Sequence, residues 1–230
     1  MMLRYYLMNI QISTNSFWVF DLDDTLFKEV DFRDSGFEFV RQEIIKLYQR
    51  DIIDLVIRYR EGYSADLFSD ICCFLNLPET SKNQFLWMYR NHFPSIDIER
   101  EILSILNSLK DTTLGVAILT DGRSVTQRNK INALSLNTFP VFISEEFDNS
   151  EKPESKRFEL IQSFHQNCTY VYVGDNVKKD FITPNQMGWT TIGIKDDGRN
   201  IHKQNHILSE KYLPHIWLQS ISELKGILPC

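Results

Sequence analysis

Surplus positive charge is the first thing this chain lacks. Its 230 residues carry 25 Lys and Arg against 31 Asp and Glu, a formal net charge of −6. General nucleic-acid binders and proteins that coat acidic membranes need clustered Lys and Arg, so the composition disfavours both. It leaves room for a small anionic substrate, because a metal and a few local cations reverse the field inside a cleft. Cysteine is scarce too: Cys72, Cys73, Cys168 and Cys230, with no Cys-x-x-Cys pair. Adjacent cysteines rarely bridge, so all four read as reduced thiols of a cytoplasmic protein, the first three packing in a core. No apolar run approaches membrane-spanning length. The opening MMLRYYLMNIQIS lacks the continuous apolar core and cleavage site of a signal peptide. Repeats and low-complexity tracts are missing as well. What remains is ordinary globular make-up, 43% hydrophobic, 24% charged and 13% aromatic, enough for one large domain or a domain with an insert.

The most telling segment is Phe17–Phe27, FWVFDLDDTLF. Its apolar start reads as a buried strand, Phe17–Phe20, of a parallel sheet. Helical spacing follows over 37–50 (Phe37, Val40, Ile44, Leu47, Tyr48), 51–60, 64–75 and 79–91, with no strand between about 28 and 95. Beyond Pro94 the pattern alternates. Helices are expected near 98–109, at Ser124–Leu134 with Ser124 as N-cap, at Glu154–His165, in a turn near Lys179–Met187 and near Ser222–Leu224. Strands are expected at Leu114–Leu119, Phe139–Ile143, Tyr170–Val173, Thr190–Ile194 and Ile216–Leu218. This predicts an α/β fold, a Rossmann-like doubly wound parallel sheet with an inserted all-helical cap. The core takes 1–27 and 95–230, the cap 28–94, and residues 1–16 form an extension.

The residues after the strands carry the chemistry. The first strand ends in Asp21-Leu22-Asp23-Asp24-Thr25 and the second in Thr120-Asp121-Gly122-Arg123. The third is followed, across a loop, by Glu151-Lys152-Pro153, and the fourth ends in Gly174-Asp175-Asn176-Val177-Lys178-Lys179-Asp180. A doubly wound sheet brings these ends to one edge. Asp21, Asp23, Asp175 and Asp180 would cluster beside Thr120 and Lys152. Neighbouring carboxylates repel, and a bound cation or shared proton offsets that. Such a set suits Mg²⁺, which binds through a few carboxylates, waters and substrate phosphate. The Thr120 hydroxyl and nearby N–H groups would hold an anion, and Lys152 would neutralise charge on a phosphoryl group. One carboxylate can attack phosphorus, and a second can protonate the leaving oxygen and later activate water.

These four motifs, in this order, resemble those of the haloacid dehalogenase superfamily over about 17–27 and 95–225, and the insert resembles that superfamily's cap. The resemblance implies a phosphatase type of hydrolase. Asp21 would be nucleophile and Mg²⁺ ligand. Asp23 would be general acid/base and bind Mg²⁺ through its carbonyl. Thr120, the Asp121 N–H and Lys152 would hold the phosphoryl group. Asp175 would ligate Mg²⁺ directly, with Asp180 supporting it through water or by orienting Lys152. Dehalogenases of the superfamily lack the second carboxylate, so Asp23 points to phosphoryl chemistry. The Asp121 side chain would have to point away from the phosphate, and capping the next helix is the expected way.

A helical cap favours a small phosphorylated metabolite, such as a sugar phosphate or nucleotide, over a phosphoprotein. Among Lys28, Arg33, Arg58, Arg60 and Arg90, Arg33 is the best substrate contact, since it lies in the entry segment Asp31–Gly36. Gly36 and Gly62 read as hinges or turns, and Asp24 as structural. His202 and His206 have the spacing of a helical metal pair, yet no third ligand accompanies them, so they read as surface residues. Lys178–Lys179 reads as a solvated turn, and the four tryptophans as core or interface. A phosphotransferase or mutase, a dehalogenase and a non-catalytic binding protein remain open alternatives, as does monomer against homodimer.

Overall fold

The computed structural model describes residues 13–204 and 209–226. Its sheet is built from β1 (Ser16–Phe20), β2 (Gly115–Thr120), β3 (Val141–Ile143), β4 (Thr169–Gly174), β5 (Thr190–Ile194) and β6 (Ile216–Leu218). The six strands are parallel, in the order β3-β2-β1-β4-β5-β6. Central β1 is buried at every position, as its unbroken apolar run requires. Its side chains alternate between two layers. Phe17 and Val19 pack with Phe158, Ile161, Tyr172 and Phe181 on one face. Trp18 and Phe20 pack with Leu106, Leu109, Ile131 and Leu224 on the other. The expected doubly wound sheet, covered on both faces, is present.

Between β1 and β2 the chain forms α1 (Glu29–Tyr48), α2 (Ile53–Arg60), α3 (Leu67–Phe74), α4 (Lys82–Asn91) and α5 (Arg100–Thr112). The first four enclose a core of their own, built on Phe37, Val40, Ile44, Val56, Ile71 and Phe85. Each such side chain contributes about 1.5–3 kcal/mol on burial. Helix α5 instead covers the sheet. The remaining helices are α6 (Ser124–Ala133), α7 (Lys156–Gln162) and α8 (Ile182–Gln186). Among the described residues no helix is long and apolar enough to cross a membrane.

Several boundaries differ from the sequence reading. Helix α1 starts at Glu29 rather than 37, because its first turns carry charge instead of an apolar stripe. Acidic Glu29 and Asp31 suit a helix N-terminus, and Asp24 accepts the Glu29 N–H at 3.0 Å. Gly36 is therefore neither hinge nor turn. A Cβ there would lie 2.5 Å from the Tyr89 ring, so this glycine lets α1 and α4 approach. Gly62 is a turn, at φ +80°. Arg123, not Ser124, occupies the N-cap of α6, and the Ser124 hydroxyl donates to Glu146. Helix α7 is shorter than the expected 154–165 at both ends. Cys72 packs in the cap core but Cys73 faces solvent. Trp18 and Trp189 are core residues, whereas Trp87 is 67% exposed. Cys230 and His206 lie outside the described residues.

Candidate active site

The strand order reverses between β1 and β4, the crevice where open α/β sheets bind ligands. The Asp21 N–H donates to the Val173 carbonyl at 2.8 Å, fixing the first motif against the end of β4. A cavity of about 100 Å³ opens there. Asp21, Asp23, Thr120, Asp121 and Asp175 line it as the sequence predicts, and Glu29, Lys179 and His202 line it as well.

Carboxylate oxygens of Asp21, Asp175 and Asp180 lie within 4.8 Å of one another, all three residues buried. Lys152 sits among them, its Nζ 2.8 Å from Asp21 Oδ1 and 2.8 Å from Asp180 Oδ1. Burial disfavours the charged form of Lys152, but Asp180 and Asp21 more than reverse this and hold it as an ammonium. Burial pushes the Asp21 carboxyl up to about 7, with Lys152 opposing and Asp180 adding. Burial pushes Asp175 further, to about 9, with Asp180 and Asp21 adding to the effect.

The oxygens of Asp180 are already engaged. One faces Lys152, and the other accepts the N–H groups of Asp175 (3.1 Å) and Asn176 (2.8 Å). Asp180 thus orients Lys152 and the motif loop. One Asp175 oxygen accepts from Asn200 at 2.9 Å, and Gln204 donates to the Asp175 carbonyl. Asp21 and Asp175 are left as two buried, mutually repelling carboxylates on one cavity. This oxygen-only donor set fits a hard divalent cation such as Mg²⁺.

Asp23 is held by two residues that the sequence reading passed over. Lys130 Nζ lies 2.7 Å from its Oδ1, and Gln127 donates to its Oδ2 at 2.8 Å. Gln127 also donates to Thr120 Oγ1 and to the Asp121 carbonyl. Lys130 is 3% exposed, and its ammonium lies 4.3 Å from the ring centroid of Phe32 on α1. One cation therefore touches both the core carboxylate and the cap.

The Asp121 side chain does not cap α6. It accepts from buried Arg157 at 2.5 Å, from Lys179 at 2.9 Å and from the Lys152 N–H at 3.2 Å. Burial alone would raise its carboxyl, but Lys152, Lys179 and Arg157 bring it down to about 2. The negative charge of Asp121 is neutralised in this way. Arg157 also donates to the Thr120 carbonyl at 2.8 Å, fixing the turn after β2 from behind. Lys179 is thus a half-buried site cation rather than part of a solvated turn, while Lys178 is exposed. Asp24 is structural as expected, accepting the N–H groups of Glu29 and Ile201. Arg33 does not line this cavity. It pairs with Asp34 at 3.0 Å and faces a neighbouring one.

A parallel sheet with an acidic crevice at its switch point, roofed by a helical insert, defines a haloacid dehalogenase-type α/β protein. The chain belongs to the haloacid dehalogenase-like hydrolase family, whose model matches residues 18–194. YfnB from Bacillus subtilis, solved bound to magnesium, is 15% identical with a TM-score of 0.62, covering 94% of this chain and 99% of its own. A 2-haloacid dehalogenase from Pseudomonas syringae pv. tomato DC3000 is 17% identical with a TM-score of 0.57, over 93% and 97%. A phosphatase of this family from Thermococcus onnurineus is 18% identical with a TM-score of 0.54, again over 93% and 97%. At these identities the likeness concerns the fold. No curated protein matches the sequence.

Proposed function

We propose that this protein is a Mg²⁺-dependent phosphatase that hydrolyses a small phosphorylated metabolite through an aspartyl-phosphate. The observation that carries the reading is Asp23. It lines the same cavity as Asp21 and is fixed by Lys130 and Gln127. Displacing a halide requires no acid for the leaving group, whereas expelling an alkoxide does.

In this reading Asp21 attacks phosphorus, its oxygen forming a bond as the ester oxygen departs. Asp23 gives that oxygen its proton. The same carboxylate then takes a proton from water, whose oxygen attacks phosphorus and frees Asp21. Lys152 and Thr120 hold the phosphoryl oxygens, with N–H groups of the turn leading into α6. Asp21, Asp175 and the Asp23 carbonyl would hold Mg²⁺, which when bound neutralises phosphoryl charge and keeps both carboxylates ionised.

The test is phosphate release from a panel of phosphorylated metabolites with Mg²⁺. Release is expected from wild type, and is expected to vanish in Asp21→Asn and with EDTA. Halide release from 2-haloacids without metal, with no phosphate release from any ester, would refute the proposal.

A further inference from the structure

We infer that the alcohol part of the substrate carries a flat aromatic ring, which binds in a second cavity between cap and core. The inference rests on the phosphatase reading and names its substrate class. The second cavity has a volume of about 300 Å³, at the lower end for small-molecule pockets. Its walls include Phe37, Tyr59, Phe68 and Tyr89 from the cap and Ile201 from the core, with Arg33 at one side.

Two features join this cavity to the catalytic one. Along α1, Glu29 lines the catalytic cavity while Arg33 and Phe37 line the second. Spaced four residues apart, the three share one helix face. Across from them, Ile201 lines one cavity and its chain neighbour His202 the other. A phosphoryl group beside Asp21 and Thr120 projects its leaving group along this shared face.

The wall selects a ring. Phe37 stands edge-on to Tyr59 at 5.4 Å and 90°, and Tyr89 contacts both Phe37 (5.5 Å) and Phe68 (5.6 Å). These mutual contacts fix the rings and present π faces and edges, which favour another aromatic group. A polyhydroxylated chain would leave hydroxyls facing aromatic carbon, at a desolvation cost. Asp34 is shared by Arg33 (3.0 Å) and Arg60 (3.2 Å), so two guanidiniums meet one carboxylate. Asp66, on the same wall, is paired with Lys82, so the Arg33 guanidinium is the cation lining the cavity, and it suits a ring's π face or its polar edge.

The experiment compares two substrate pairs with Mg²⁺: benzyl against ethyl phosphate, and uridine 5′-monophosphate against ribose 5-phosphate. The ring-bearing member is expected to show a KM about tenfold lower or more, the discrimination one pocket contact gives. Tyr59→Ala and Arg33→Ala, checked for unchanged melting, are expected to bring that KM ratio close to one by raising KM for the ring-bearing member. Equal KM values within each pair, or variants that shift both members alike, would overturn the inference and leave the phosphatase reading standing. If no ester is hydrolysed, that reading falls, and calorimetry with benzyl- and ethylphosphonate decides the pocket. Tighter benzylphosphonate binding would support it, and equal binding would overturn it.

Discussion

The two cavities differ in how they are held. The catalytic cavity is built from charge. Its carboxylates are fixed by Lys130, Lys152, Lys179 and Arg157 through contacts of 2.5–2.9 Å. The cavity beside it is built from packing, with rings leaning on rings and one glycine spacing two helices. Directional charge contacts position reacting atoms to fractions of an ångström, whereas an aromatic wall selects by shape. On the proposed reading, chemistry falls to the first cavity and selection to the second.

Substitutions that break one side should spare the other. The largest effect is expected for Lys152→Met. It strands two buried carboxylates, so turnover should vanish and stability should fall by about 3–5 kcal/mol, read by urea unfolding. Retained turnover would place the cation's role elsewhere. Lys130→Met should lower kcat/KM for ethyl phosphate by about 10²-fold, but much less for p-nitrophenyl phosphate, whose leaving oxygen needs little help from an acid. Equal losses on both would mean that Lys130 merely holds the fold. On the packed side, Gly36→Ala should cost about 1–3 kcal/mol by pressing on Tyr89, and should raise KM while leaving kcat near wild type.

The smallest effect concerns protons. The carboxyls of Asp21 and Asp175 lie at about 7 and about 9, above the ordinary 3.8 of an unfolded chain. Raised values mean that the folded state holds these protons more tightly, so the two groups lower stability as pH rises through that window. Mg²⁺ replaces the protons and should reverse the trend. The rise in Tm on adding Mg²⁺ is expected to be greater at pH 8.5 than at pH 6, by at least about 3 °C. Asp175→Asn should melt higher than wild type in EDTA and lose most of the Mg²⁺ response. A pH-independent Mg²⁺ shift would show that these carboxylates do not bind the ion.

The sheet and its motifs were legible because each is local. An apolar run followed by a carboxylate names both a buried strand and its functional end, and three such ends, with Lys152 in order between them, leave little freedom. The supports were harder to read because a polar residue on a helix looks solvated. Gln127 and Lys130 are the clearest case. A signal was nonetheless available: α6 has no continuous apolar stripe, yet a helix covering a sheet must bury something, and Gln127 and Lys130 share a face. Arg157 is fully buried for a similar reason, since it satisfies the Thr120 carbonyl and the Asp121 carboxylate that the turn leaves inside. The start of α1 was missed because capping by Asp24, and not periodicity, sets it. Arg33 reads from the sequence as a substrate contact of the catalytic site, but it lies outside that cavity and lines the aromatic one.

The pairing of β1 with β4 has a consequence for how the protein comes into being. Asp21 is made with the first strand, ahead of the cap. The strand that carries Asp175, and the loop that carries Asp180, follow only after the whole cap and two further strands. Until β4 docks, β1 has one open edge, and Lys152 has Asp21 but not Asp180 as a counter-charge. A chain stopped anywhere before that point holds Asp21 but neither Asp175 nor Asp180, so the acidic cluster closes only once β4 and the loop after it are made.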